Sequence, residues 1–370
     1  MNKIEEKFTK NPKELKYKCE IINCENILNI SFGYDNDEFD IYTSYKDKNP
    51  YIVLVNKYNK SVLDIYSLFT KLKITVLRGN KEEIKKVKYF INKNNNKEYF
   101  IIKGRHKNVN FGVVLVWDIS NNYKIILRAE PEHGYGASGT DDIACLLIFP
   151  HYMEDFFMVT STSNKCSEHY DCTEIYSIKK QKLIEKIEDS NNLSINFLLS
   201  WYNKNNDNYY FIQFHQYGFD IYNLLKKEIY FVQGRYIDNH REKREREFNN
   251  GFIYTKDDAA DDYLCFFTEA NYLNFFNLNK KKYIKSLKLE QQYNIFDKKF
   301  YSFHQMIQWN KYILFYELKT KVIKIFDLEN EQYISNIGIN KSFNCFKRIY
   351  HKVYGEALII SFHESIDLWN

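Results

Sequence analysis

Seven times along 370 residues the chain repeats one short pattern: an apolar run ends in an aromatic residue, then a polar residue, then usually an aliphatic one. The aromatics are Tyr66, Trp117, Tyr176, Tyr222, Phe276, Phe326 and Trp369, at intervals of 51, 59, 46, 54, 50 and 43 residues. A strongly apolar run precedes each marker: Tyr51 to Val55, Tyr99 to Ile102, Phe156 to Val159, Tyr209 to Phe214, Tyr263 to Phe267, Tyr312 to Tyr316 and Ala357 to Phe362. Short runs rich in Val, Ile, Tyr and Phe, bounded by Asn and Gly, are strand signals. A near-regular period of this length belongs to a chain built from copies of one supersecondary unit.

The stretch from Lys71 to Ile119 displays the unit most clearly. Its four apolar runs are Leu72 to Leu77, Ile84 to Ile91, Tyr99 to Ile102 and Val113 to Ile119, separated by Gly79-Asn80, Asn92 to Asn96 and Gly104 to Gly112. The unit resembles a WD repeat. Leu77-Arg78-Gly79-Asn80 stands where that family places its Gly-His, and Val116-Trp117-Asp118 matches its closing Trp-Asp. The resemblance implies an all-β fold, a seven-bladed WD-repeat-like β-propeller closed by an N-terminal strand. In that pattern the strongly apolar runs are second strands, buried on both faces between neighbouring blades.

The expected organisation is a polar N-terminal arm over residues 1–25 and one propeller over residues 26–370. The chain stops after the third strand of its last unit, and an extra run, Ile27 to Phe32, precedes the first unit. Residues 26–33 are therefore expected to complete the last blade, which removes an open sheet edge. Trp117-Asp118 is the one true Trp-Asp marker, and Gly-His is absent throughout. The family's His–Ser–Asp–Trp hydrogen-bond network is thus mostly missing, and aromatic packing must replace it.

Composition excludes several classes. Net charge is +5, from 53 basic and 48 acidic residues, too small and too mixed for nucleic acid as a direct ligand. No apolar run reaches 18 residues, so no membrane insertion is expected. The first 18 residues lack an apolar core and contain Glu5, Glu6 and Glu14, unlike a secretory or mitochondrial leader. Seven cysteines at irregular spacing then point to a reducing, cytoplasmic location, an organelle or cilium remaining open.

Three motifs invite chemistry. Gly134 to Gly139 matches G-x-G-x-x-G, but strands flank it on both sides, so the helix that would hold a pyrophosphate is missing. Cys166, His169 and Cys172 do not have the spacing of a zinc site. His240 to Glu247 alternates in charge and reads as a solvated loop. No metal, no cofactor and no catalytic residues are assigned. The expected function is a non-catalytic interaction scaffold, a subunit or adaptor of a multiprotein complex, with no homo-oligomer required. The alternatives are a small-ligand binder or enzyme using the central channel, and a subunit of a large ribonucleoprotein or ciliary assembly. The expected partner surface is a loop face bearing the two longest links, residues 130–142 and 238–250, with His133 and Tyr135 on one and Arg241, Arg244 and Arg246 on the other.

Overall fold

The computed structural model describes residues 17–23, 39–56, 58–78, 82–92, 95–106, 112–130, 143–150, 155–165, 168–188, 195–215, 218–223, 226–233, 251–256, 261–267, 272–289, 306–317, 320–341, 343–351, 355–362 and 365–369. They form seven four-stranded antiparallel sheets. The first contains β2 (Phe39–Thr43), β3 (Pro50–Val55), β4 (Val62–Ser67) and β5 (Lys73–Arg78). The second contains β6 (Glu82–Asn92), β7 (Lys97–His106), β8 (Gly112–Asp118) and β9 (Lys124–Ala129). The third contains β10 (Ile143–Pro150), β11 (Asp155–Lys165), β12 (Glu168–Ser177) and β13 (Lys182–Glu188). The fourth contains β14 (Ile195–Asn203), β15 (Asn208–His215), β16 (Gly218–Asn223) and β17 (Glu228–Gln233). The fifth contains β18 (Gly251–Thr255), β19 (Asp262–Phe267), β20 (Tyr272–Asn277) and β21 (Lys282–Lys288). The sixth contains β22 (Met306–Trp309), β23 (Tyr312–Glu317), β24 (Val322–Asp327) and β25 (Gln332–Gly338). The seventh joins β26 (Phe343–His351), β27 (Gly355–Phe362) and β28 (Ser365–Trp369) to β1 (Tyr17–Asn23).

The sheets close on one another through side chains. One cluster of buried residues joins the first and second sheets, through Val53, Ile65, Val87 and Leu115. Others join the second to the third, the third to the fourth, and so on around the chain. The last, with Ile41, Ile52, Ile359 and Ile366, returns the seventh sheet to the first. This is an all-β propeller. Its second and third strands are the most deeply covered, and every residue of β8 is buried. That is why those strands read as continuous apolar runs rather than as an alternation.

All seven markers fall on or at the end of third strands, and the geometry explains their composition. In six sheets the polar residue after the aromatic caps the turn to the fourth strand. Ser67, Asp118, Ser177, Asn223, Asn277 and Asp327 each accept backbone N–H groups two or three residues ahead, at 2.8–3.2 Å. All six are buried, so the accepted bonds also satisfy their own oxygens. Four residues beyond each cap the backbone turns left-handed, at Lys71 (φ 61), Asn122 (φ 50), Gln181 (φ 56), Lys227 (φ 55), Lys281 (φ 52) and Glu331 (φ 54). A non-glycine residue there costs about 1–2 kcal/mol, which the surrounding ladder and caps offset. The aliphatic residue after the cap folds back: Leu68, Leu278 and Leu328 donate their N–H groups to Pro50, Asp262 and Lys311 and bury their side chains.

The ends depart from expectation. The strand paired with β28 is Tyr17–Asn23, in register from Tyr17 opposite Trp369 to Asn23 opposite Ser365. This strand lies inside the segment assigned to the polar arm, while residues 26–33 lie outside the described residues. Alternating polar and apolar residues in YKCEIIN suit an edge strand, which needs no continuous apolar run. The buried indole N–H of Trp117 has no hydrogen-bond partner among the described residues.

Candidate protein interface

The first strands of the sheets face inward, and three of them meet at Asp40. Its carboxylate accepts from Lys347 Nζ on β26 at 2.6 Å and from the Tyr89 backbone N–H on β6 at 2.8 Å. The group braces three inner strands, and both its oxygens are engaged. Among the described residues no three potential metal-ligating side chains come together.

A larger cluster joins the turns of the first two sheets. Glu98, near the start of β7, is only 5% exposed. It accepts from the Tyr89 hydroxyl at 2.7 Å and from the Tyr45 backbone N–H at 2.8 Å, across the sheet boundary. Tyr42 stacks on Tyr89 with centroids 4.4 Å apart and meets Phe100 edge-on at 5.4 Å. Tyr51 stacks on Tyr42 and donates its hydroxyl to Asp47. Burial raises the Tyr42 phenol far above its ordinary range. Burial and the Glu98 hydrogen bond do the same for Tyr89, and burial with the Asp47 bond pushes Tyr51 up to about 12. These phenols are neutral at any physiological pH. The cluster therefore holds the turn between β2 and β3 rigid, with Tyr45 exposed at its rim and Lys48 Nζ 4.0 Å over the Tyr45 ring.

Asp262 occupies the matching ladder position in the fifth sheet. It accepts from the Trp201 indole at 2.9 Å and from the Thr255 hydroxyl at 2.6 Å. Both carboxylates tie a second strand to the preceding sheet. A polar residue opening an apolar run is the only sequence signal for either, and it is too common to single them out.

The outer surface distinguishes the first sheet. Tyr45, Tyr58, Phe69, Leu72, Ile74 and Val76 are six of the ten exposed large hydrophobic residues among those described. Ile74 and Val76 lie on β5 and Leu72 directly precedes it, at 54%, 43% and 64% exposure. The outer strands of the second, fifth and sixth sheets present polar or charged residues at most exposed positions: Lys124 and Arg128 on β9, Lys282 and Lys288 on β21, Gln332 and Asn336 on β25. Apolar residues gathered on one part of a surface mark interaction sites, whereas scattered ones do not.

The expected partner residues, His133, Tyr135, Arg241, Arg244 and Arg246, all lie outside the described residues. The Gly134 to Gly139 loop and the whole His240 to Glu247 run do too.

No family model matches the chain, and no curated protein matches it. Solved structures do. One, the crystal structure of BBS1N in complex with ARL6DN, soaked with lead, superposes with a TM-score of 0.62 at 8% identity, covering 92% of this chain and 93% of that one. A second, the same complex soaked with mercury, gives 0.61 at 7% identity, covering 96% of each chain. At such low identity the likeness establishes the fold, a β-propeller over nearly the whole chain.

Proposed function

We propose that the chain is a non-catalytic, cytoplasmic scaffold of a multiprotein assembly, a seven-bladed propeller in which each sheet is one blade. The first sheet supplies a partner surface. One observation carries the reading: exposed large hydrophobics gather on that sheet, while the outer strands of the second and sixth sheets expose polar residues. The solved propellers that resemble this chain were crystallised in complex with another protein, which supports the same reading. The links bearing His133, Tyr135, Arg241, Arg244 and Arg246 belong to the proposal as a second contact region, with Tyr and Arg as its anchors.

The test is quantitative affinity purification of tagged full-length protein in three forms: wild type, Tyr45→Ser with Phe69→Ser and Ile74→Thr, and a control Ile284→Thr on the fifth sheet. All the substituted side chains are exposed, so each form should melt within a few degrees of wild type. The triple variant should lose a reproducible partner that the control retains. Identical recovery from all three forms removes the first sheet from the interface. A wild type with no reproducible partner removes the scaffold reading.

A further inference from the structure

Like the outer strand of every sheet, that of the first has one edge unpaired among the described strands, and it differs from those of the second and sixth sheets in its side chains. β5 pairs with β4 on one side, and no described strand pairs with the other. Its outer row of backbone N–H and C=O groups is thus a template for another strand. The outer strands of the second and sixth sheets carry devices against such pairing. Arg128 on β9 is ion-paired to Glu82 and Glu130. β25 places Gln332, Asn336 and Gly338 in solvent. β5 instead exposes Ile74, the unpaired residue where its ladder slips by one, and Val76, with Leu72 just before them.

Charge says what kind of strand fits. Lys71 and Arg78 are exposed and bracket the apolar residues, while Lys73 is held by Asp64 at 3.0 Å. The strand carries no carboxylate, and Asp64 behind it is buried against Asn56 and Lys73. A second copy of this chain is the wrong occupant. Antiparallel pairing of two β5 strands sets Lys71 of one toward Arg78 of the other at both ends, and like charges directly opposite destabilise a pair. A strand with acidic ends and apolar residues between them matches at every position.

We infer that β5 is a strand-addition site for an extended segment of a partner protein, with alternating apolar residues flanked by Asp or Glu. Main-chain hydrogen bonds to the free edge supply affinity, and Ile74, Val76, Lys71 and Arg78 supply selectivity. This rests on the scaffold reading and names how the first sheet would take its partner. The six residues of β5 span about 20 Å, which sets the bound segment at about six to eight residues.

The probe is a synthetic seven-residue peptide alternating valine and glutamate, capped at both ends, titrated into the full chain by fluorescence polarisation. Saturable binding is expected. Exchanging glutamate for lysine should weaken it at least tenfold, and so should Lys71→Glu with Arg78→Glu in the protein. Leu72→Gln with Val76→Asn should weaken it by about the same factor through lost apolar burial. N-methylation of alternate amides discriminates the mode. Methyl groups on the edge facing β5 should abolish binding, while the same number on the other edge should leave it within about twofold. Equal binding of both methylated peptides overturns strand addition in favour of side-chain docking. No binding to a chain that melts normally overturns it outright, and so does a concentration-dependent dimer in sedimentation that Val76→Asn abolishes. If the peptide fails while the first-sheet variant still loses its partner in the purification, strand addition alone falls. If both fail, the first-sheet reading falls as well.

Discussion

The first and sixth sheets have nearly the same skeleton. β4 and β5 pair with Tyr66 opposite Lys73 and Ile65 opposite Thr75, and β24 and β25 pair with Phe326 opposite Tyr333 and Ile325 opposite Ser335. Each ladder slips by one residue at the same place. Ser67 and Asp327 cap equivalent turns, and Lys71 and Glu331 hold the same left-handed position. Outside that shared frame they diverge. Leu72 and Val76 in one stand where Gln332 and Asn336 stand in the other. Residues that build the repeat are interchangeable between sheets, and the ones that are free to vary carry whatever is particular to each.

The largest effect should come from the shared frame. Ile65→Ala and Ile325→Ala each empty a fully covered site between sheets. Each should cost about 2–5 kcal/mol in urea unfolding. If one is tolerated and the other is not, the two sheets are not equivalent supports of the ring.

The caps come next, and here the comparison sharpens. Asp327→Ala removes a carboxylate acceptor and should cost about 1.5–3 kcal/mol, whereas Ser67→Ala removes a neutral one and should cost about 0.5–1.5 kcal/mol. Burial alone would raise the Asp327 carboxyl. The Asn330 backbone and side chain, the Glu329 N–H and nearby Lys311 outweigh it, so the folded carboxyl titrates below its ordinary value of 3.8. A depressed folded value means stability that is complete above the unfolded value and is lost as pH falls through the folded one. Wild type should therefore weaken below about pH 4, and Asp327→Asn should weaken less over that range. Equal acid sensitivity in both would show that other carboxylates dominate. Ser67→Ala should leave the acid limb unchanged.

The smallest change in stability should accompany the most specific change in binding. Leu72→Gln with Val76→Asn gives β5 the surface of β25, and Gln332→Leu with Asn336→Val does the reverse. Both pairs should shift unfolding by less than about 1 kcal/mol. The first should lose the valine–glutamate peptide. The second should gain weak binding of it or precipitate at high concentration, as an uncovered apolar edge does. A β25 variant that stays monomeric and inert means that exposed apolar residues on a free edge are not sufficient, and that Lys71 and Arg78 are required.

Much of the architecture was legible in the chain. The markers locate the third strands because one aromatic, one cap and one aliphatic residue do three fixed jobs at each turn, as Tyr66, Ser67 and Leu68 do. The second strands were legible because burial on both faces leaves no room for polar residues. Less of the interface was legible. The closing strand Tyr17–Asn23 was read as part of a polar arm, since an edge strand needs no continuous apolarity and its partner Trp369 lies more than three hundred residues away. Glu98 gives no signal in the sequence because its partners, Tyr45 and Tyr89, come from two different sheets.

What this sequence determined by itself is local: where each strand runs, which residue caps each turn, and that the unit repeats. Those depend on alternation, turn chemistry and apolar runs, all properties of neighbours along the chain. Which surfaces stay open was decided only by tertiary structure. Leu72, Ile74 and Leu77 are equally apolar in the sequence, yet Leu77 packs into the cluster between the first and second sheets while Leu72 and Ile74 remain in solvent. The difference comes from the ring, which brings a neighbouring sheet against one side of β5 and, among the described strands, leaves its outer edge unpaired.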